Sequence, residues 1–312
     1  MAYVLITGGA GFIGYHLQQQ LQSKYLVNAI DLINEPTPAI KLRKSKLKHV
    51  VHADINSDFL NTLENTPEVI IHLAAETGIA GSLTHPQKYF DTNVAGTFNV
   101  LEQCRKAGIK YLIYASSSSV YAPNQLVMQE DSNTINQLSY YGTTKKMDEV
   151  MIENYCKQFG ITAIGLRFFT VYGSYTRPDM AAYKFMEAIS KGKPIVLYNN
   201  GNVYRDFTHV SDVVNSIELL LEKIQHEPDG SHKVFNIGYG TPISVNEYAT
   251  CIAKHLNKPL FTQFFPLPAN ELPATHSNTE LLERYINYKP KCDINEGIFE
   301  MTKWYKTNNY EQ

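Results

Sequence analysis

Short apolar runs alternate with longer amphipathic stretches through the first two-thirds of the chain. The runs Tyr3–Thr7, Leu26–Asp31, His49–Asp54, Val69–Ala74, Tyr111–Ser116 and Thr162–Phe168 are apolar almost throughout, which predicts strands buried on both faces. Between them, Phe12–Lys24, Pro86–Ala107 and Tyr140–Phe159 repeat with helical periodicity. Continuous apolar strands alternating with helices predict a doubly wound α/β fold, a parallel sheet with helices on both faces and right-handed crossovers. After about Phe169 the elements become shorter: Met180–Lys191, Ile195–Tyr198, Val210–Lys223, Val234–Ile237 and Ser244–Leu256. Ser244 and Glu247 have the spacing of a capping box opening the last helix. Gly192-Lys-Pro194 and Pro228-Asp-Gly230 mark turns, and Pro266–Pro273, with three prolines in eight residues, predicts an extended connector. The expected organisation is a nucleotide-binding lobe over residues 1–168 and a smaller, loop-rich mixed α/β lobe over 169–312. Segments around 205–240 are expected to pack back onto the first lobe, with a cleft between the two.

Composition narrows the partners. Twenty-eight Lys and Arg against 30 Asp and Glu leave a net charge of −2 in 312 residues, so an anionic ligand must be held by a few placed groups and nucleic acid is not expected. No apolar run approaches the roughly 18 residues of a membrane span. The N-terminus enters a strand directly, without the pattern of a signal peptide. Cys104, Cys156, Cys251 and Cys292 are far apart and form no metal-spaced pair, which points to reduced thiols and a cytoplasmic protein.

The candidate chemistry begins at Thr7-Gly8-Gly9-Ala10-Gly11-Phe12-Ile13-Gly14, between the first strand and the first helix. Gly8, Gly11 and Gly14 permit a tight turn and close approach of a pyrophosphate to helix N–H groups, here those of Phe12 and Ile13. Asp31 ends the second strand about 20 residues on, where a carboxylate accepts from adenine ribose hydroxyls. Leu32-Ile33-Asn34-Glu35 offers no base for a 2′-phosphate, which favours NAD over NADP. Tyr141 and Lys145, four apart on a helix, place a phenol and an ammonium on one face, and such a neighbouring cation favours phenolate. Ser116 to Ser119 form four consecutive hydroxyls at the carboxyl end of a strand, where this fold puts its ligands.

Taken in this order, these motifs make the chain resemble the extended short-chain dehydrogenase/reductases that act on nucleotide sugars. Asp54-Ile55 matches the adenine-contacting pair after the third strand, and His72-Leu73-Ala74-Ala75 matches the turn beneath the cofactor. Asn93 falls in the family's helix motif, and Ser117, Tyr141 and Lys145 fall on its catalytic triad. Within that family, Tyr114–Tyr121, Leu166–Gly173, Arg177–Ala181 and Arg205–Thr208 resemble the UDP-glucuronate 4-epimerases. The resemblance implies bound NAD, a UDP-sugar substrate and a homodimer built on helices Pro86–Ala107 and Tyr140–Phe159. It assigns Arg205 to the diphosphate and places Arg177 near a sugar carboxylate with Thr170, Ser118 and Ser119.

The same residues constrain the reaction. A dehydratase of this family carries an acid pair after the catalytic Ser/Thr, and a decarboxylase carries Glu before Val-Tyr; this chain has Ser118-Ser119 there. Epimerisation at C4 through a 4-keto sugar needs no such acid. The chain departs from the uronate epimerases at Gly78-Ile79-Ala80-Gly81-Ser82, where a basic residue is missing, at Ala122 and at Tyr140. A 4-epimerase of UDP-glucose or UDP-N-acetylglucosamine therefore stays open. So do a reductase or dehydratase of the same fold and a non-catalytic NAD-binding protein.

Overall fold

The computed structural model describes residues 2–32, 43, 50–123, 125 and 127–308. Its centre is a seven-stranded parallel sheet. The strands are β1 (Tyr3–Thr7), β2 (Leu26–Asp31), β3 (Val50–His52), β4 (Val69–His72), β5 (Tyr111–Ser117), β6 (Thr162–Phe168) and β11 (His232–Ile237). Their spatial order is β11-β6-β5-β4-β1-β2-β3, so strand order reverses between β1 and β4. In open α/β sheets a ligand crevice forms at that reversal, outside the carboxyl ends of the strands. Val4, Leu5 and Ile6 of β1 and Val69, Ile70 and Ile71 of β4 are fully buried. That explains why these strands read as unbroken apolar runs rather than as alternation.

Helices α1 (Phe12–Leu21) and α7 (Val210–Ile224) pack on one face of the sheet, with α4 (Gly96–Ala107) and α5 (Tyr140–Phe159) on the other. Helix α5 is held inward by a buried ion pair. Glu149 accepts from Arg167 Nε at 2.8 Å and Nη2 at 2.9 Å, and from Ser116 Oγ at 2.7 Å. Removing one partner of such a pair costs about 3–5 kcal/mol, so the pair ties α5 firmly to β5 and β6.

The second lobe gathers α6 (Ala181–Ser190), α8 (Val245–Leu256) and α10 (Ile294–Thr307) around a separate apolar cluster that includes Met186, Tyr248, Ile252 and Met301. Short strand pairs complete it: β8 (Ile195–Tyr198) with β13 (Thr262–Phe265), and β9 (Tyr204–Arg205) with β12 (Ile243–Ser244). A further parallel pair, β7 (Thr170–Tyr172) with β10 (Phe207–His209), lies where the chain passes between the lobes. The capping box closes as its spacing predicts: Ser244 Oγ accepts from Glu247 N at 3.0 Å, and Glu247 Oε2 accepts from Ser244 N at 2.8 Å.

Several boundaries differ from the sequence reading. The third strand shortens to Val50–His52, and His49 with Ile33-Asn34-Glu35 lies outside the described residues. The expected helix Pro86–Ala107 is three pieces: α3 (Pro86–Tyr89), a π-helical turn at Phe90–Ala95, and α4. Three helices have no counterpart in the sequence reading: α2 (Ile79–Thr84), α9 (Glu280–Ile286) and α10.

Candidate active site

The glycine turn is shaped by contacts that leave no room for side chains. Gly8 has φ +71°, and a β-carbon there would stand 2.7 Å from Ala74 N. One on Gly14 would stand 2.3 Å from Gly8 O, and one on Gly11 2.9 Å from the same atom. Gln18 braces the turn from beneath, donating to Gly9 O at 2.6 Å and Gly14 O at 3.2 Å. Gly11 is the N-cap of α1, so the N–H groups of Phe12 and Ile13 lie in a first helical turn, which has no intrahelical partners. This is the cradle a dinucleotide's pyrophosphate needs.

Asp31 stands at the end of β2, and its Oδ2 accepts from Ala10 N at 2.8 Å, so the carboxylate also stitches the turn. The floor is set by Thr7, whose Oγ1 accepts from Ala74 N at 3.2 Å and shares a proton with His72 Nδ1 at 2.7 Å. Leu73 N donates to Thr7 O, and Ala75 follows in the same half-buried turn. On the far side, Asp54 turns the chain by accepting from Asn56 N at 2.8 Å. Ile55 packs against Gly96, where a β-carbon would meet Ile55 Cδ1 at 2.5 Å.

Ser117 ends β5 and caps a short turn, Ser118–Val120, by accepting from Ser119 N at 3.1 Å. Ser139 caps α5 in the same way, accepting from Gly142 N at 3.1 Å, which puts Tyr141 in the first turn of that helix. The two caps meet: a β-carbon on Gly142 would stand 2.2 Å from Ser119 O. The serine turn and the start of α5 are thus in backbone contact. Lys145, one turn below Tyr141, is almost fully buried and lies 3.2 Å from Asp148 Oδ2.

Asn93 occupies the π-helical turn and is fully buried. Its Oδ1 accepts from Glu76 N at 2.8 Å, and its Nδ2 donates to Glu76 O and Thr144 Oγ1, both at 3.0 Å. The wider turn gives this side chain its reach, and π turns recur at functional sites for that reason. Asn93 thereby fastens the segment after Ala75 to α5. Tyr89 meets Tyr141 edge-on at 6.2 Å and hydrogen-bonds Thr77 O at 2.7 Å, and burial pushes its phenol up, away from titration.

On the second lobe, Thr170 N donates to Asp206 O at 3.0 Å, which sets Thr170 beside the Arg205 segment. Asp206 is fully buried and accepts from Tyr239 N at 2.8 Å, Gly240 N at 3.0 Å and Ser277 Oγ at 2.5 Å. It pins two loops behind Arg205. Arg205 itself donates to Glu271 Oε2 at 2.9 Å. Arg177 donates to Asp179 through Nε at 2.9 Å and to Thr77 Oγ1. Burial disfavours its charge, but the Asp179 carboxylate beside it holds the guanidinium up, with the Tyr141 and Tyr89 phenols also nearby. The structure thus groups Ser117, Ser118, Ser119, Tyr141 and Lys145. Thr170 lies beside the Arg205 segment, and Arg177 reaches Thr77 in the segment after Ala75.

Sequence reasoning missed four participants. Arg43 is fully buried, and its guanidinium donates to Ala10 O at 3.0 Å and to Tyr175 O, joining the glycine turn to the loop before Arg177. Glu271 lay unnoticed inside the proline-rich connector. Gly142 and Asp148 flank the Tyr/Lys pair, and their spacing on that helix was the available signal. No group of three or more metal-ligating side chains occurs among the described residues.

Comparison with known proteins agrees with this geometry. The chain matches the NAD dependent epimerase/dehydratase family over residues 4–238. Protein CapI of Staphylococcus aureus is 37% identical, covering 97% of this chain and 98% of its own. A probable UDP-glucuronate 4-epimerase of Rhizobium meliloti is 32% identical, covering 97% of each. Among solved structures, the UDP-glucuronic acid 4-epimerase of Bacillus cereus, in complex with UDP-glucuronic acid and NAD, superposes with a TM-score of 0.90. It is 30% identical, with 98% of this chain and 99% of that one covered. On sequence, fold and site together, the chain belongs to the NAD-dependent epimerase/dehydratase family.

Proposed function

We propose that the protein is an NAD-dependent UDP-sugar 4-epimerase whose substrate is UDP-glucuronate, interconverted with UDP-galacturonate through a transient 4-keto sugar. The observation that carries the reading is the identity of the residues beside Ser117: hydroxyls at Ser118 and Ser119, where elimination or decarboxylation would need an acid. The similarity to the Rhizobium and Bacillus enzymes supports the same substrate. The residues that would hold NAD are Gly8, Gly11, Phe12, Ile13 and Gly14 at the pyrophosphate, and Asp31, Asp54 and Ile55 at the adenosine. Leu73, Ala74, Ala75 and Asn93 would line its other side, and Tyr141 and Lys145 would serve the nicotinamide end. Bound there, NAD would supply a reversible hydride acceptor.

Tyr141 takes the proton from the C4 hydroxyl and later returns it, acting as base and then as acid. Ser117 hydrogen-bonds the C4 oxygen, and Lys145 orients the nicotinamide ribose and stabilises the phenolate. Arg205 anchors the diphosphate while the flat keto sugar turns over and presents its other face. Ser118, Ser119, Thr170 and Arg177 hold the carboxylate so that the bond to it stays out of line for CO₂ loss. Arg177 reaches Thr77 and so brings a guanidinium to the side where the Gly78–Ser82 segment lacks a base. Incubation of purified protein with UDP-glucuronate, without added cofactor, is expected to yield both C4 epimers. Faster turnover of UDP-glucose or UDP-N-acetylglucosamine in parallel reactions would replace the uronate reading, and no epimers from any of the three would overturn the function.

A homodimer fits the outer faces of α4 and α5, where Phe98, Met147, Val150 and Phe159 are 44–56% exposed. Large side chains in such a patch mark an association surface, and a two-fold pairing would cover both helices at once. Replacing Met147 and Val150 together with Glu is expected to halve the mass measured by light scattering; an unchanged mass removes these helices from the interface. No helix among the described residues is long and apolar enough to cross a membrane. The four cysteines are unpaired, in keeping with a reducing cytoplasm.

A further inference from the structure

Lys145 is buried to 3% side-chain exposure, where an ammonium is costly unless a counter-ion meets it. That counter-ion is Asp148, one turn along α5, itself 2% exposed and 3.2 Å away. Thr97 of α4 adds a side-chain hydrogen bond to the same carboxylate. A buried carboxylate held this way keeps its charge only because the ammonium beside it needs a partner.

The groups around Asp148 show what its charge answers. From its own helix come Lys145 and Glu149; from α4 comes Thr97, which also shares a hydrogen bond with His72 Nε2 of β4 at 3.1 Å; and Tyr114 faces it from β5. Glu149 is engaged by Arg167 and by Lys146 at 3.3 Å. His72 is held down to about 3 by burial and then by Lys145, so it stays neutral. Burial drives the Tyr114 phenol well up, so it is neutral too. Asp148 is therefore the anion that balances Lys145.

This balance matters on the reading given under Proposed function. A nicotinamide ring beside Lys145 alternates between a cation when oxidised and a neutral ring when reduced. The oxidised ring would be a second positive charge in a desolvated site. We propose that Asp148 is a positioning residue that holds Lys145 and, by its negative charge, biases the resident dinucleotide toward the oxidised form that begins each turnover. Burial pushes its carboxyl up to about 6, against the pull of Lys145 and Thr97, so the charge is present above that pH and is lost as pH falls through it.

The test uses the protein with its bound cofactor, equilibrated against a redox mediator at fixed potential, reading the reduced fraction by its near-ultraviolet absorbance. Asp148→Asn keeps the shape and removes the charge. It is expected to raise the reduced-to-oxidised ratio about tenfold at neutral pH, equivalent to about 30 mV for this two-electron couple. The difference from the parent should close as pH falls through about 6, because a protonated Asp148 is electrically an Asn. An unchanged ratio in a cofactor-containing variant overturns the proposal. Should that variant fail to fold or to retain cofactor, Thr97→Val decides. It keeps both charges but removes a group that favours the carboxylate, so the bend in the parent's ratio-against-pH curve should move upward. A bend that stays in place overturns the proposal. A parent protein that carries no nicotinamide at all refutes the functional reading instead.

Discussion

Tyr141→Phe is expected to slow epimerisation by roughly 10³-fold, within the range set by loss of a positioned general acid–base group. The fold and the bound dinucleotide should survive. Helix α5 is capped by Ser139 rather than by Tyr141, and the ring is only half-buried, meeting Tyr89 by an edge contact. The check is single-turnover formation of the C4 epimer alongside the cofactor content of the purified variant. Because the phenol would serve both the oxidation and the return of the proton, the loss should fall on kcat rather than on KM. A phenylalanine variant with parent-like kcat would assign the proton to another group.

Gly142→Ala is expected to be nearly as damaging, for a reason that involves no chemistry of its own. The added methyl would meet Ser119 O at 2.2 Å and Ser119 C at 3.0 Å, both backbone atoms that cannot swing aside. Either the serine turn or the first turn of α5 must shift, and each carries a residue of the proposed chemistry. A displacement near 1 Å at such a site costs about 10²-fold in rate. Overpacking should also lower stability by about 1–3 kcal/mol. The glycine turn lies elsewhere, so cofactor content should hold. Measured kcat, thermal midpoint and bound nicotinamide separate these effects, and a variant with parent kcat would show that the two caps are not a rigid unit.

Much of the scaffold was legible because its strands are buried on both faces. Thr162–Phe168 and Tyr3–Thr7 appear with the bounds that their apolar runs suggest. What escaped was local structure set by tertiary contact. Pro86–Ala107 keeps helical periodicity throughout, yet widens at Phe90–Ala95 so that Asn93 can reach Glu76 and Thr144. No periodicity marks that event. Helix α10 begins at an Asp293 N-cap, which accepts from Asn295 N and Glu296 N, just beyond a stretch dominated by turn residues that hides its start.

In the site, Tyr141, Lys145 and the serine run stood out because they lie within short motifs. Their lateral partners did not. Arg177 meets Thr77 from 100 positions away and Arg205 meets Glu271 from 66, distances at which spacing carries no information. Asp148 was near enough to see, three residues past Lys145. An acid so placed on a helix ordinarily makes an exposed pair worth little. Only burial turns it into a working charge.

The path of the chain between the two lobes has a consequence of its own. After β6 the chain leaves for the second lobe, comes back to add α7 and β11 to the central sheet, and then departs again to build α8 and α10. The halves are sewn together by several passes of one thread rather than hinged on a single linker. No one cut of the polypeptide frees either half with its full set of strands and helices. Swapping a sugar-recognising half between such enzymes would therefore require exchanging at least two separate stretches of sequence at once.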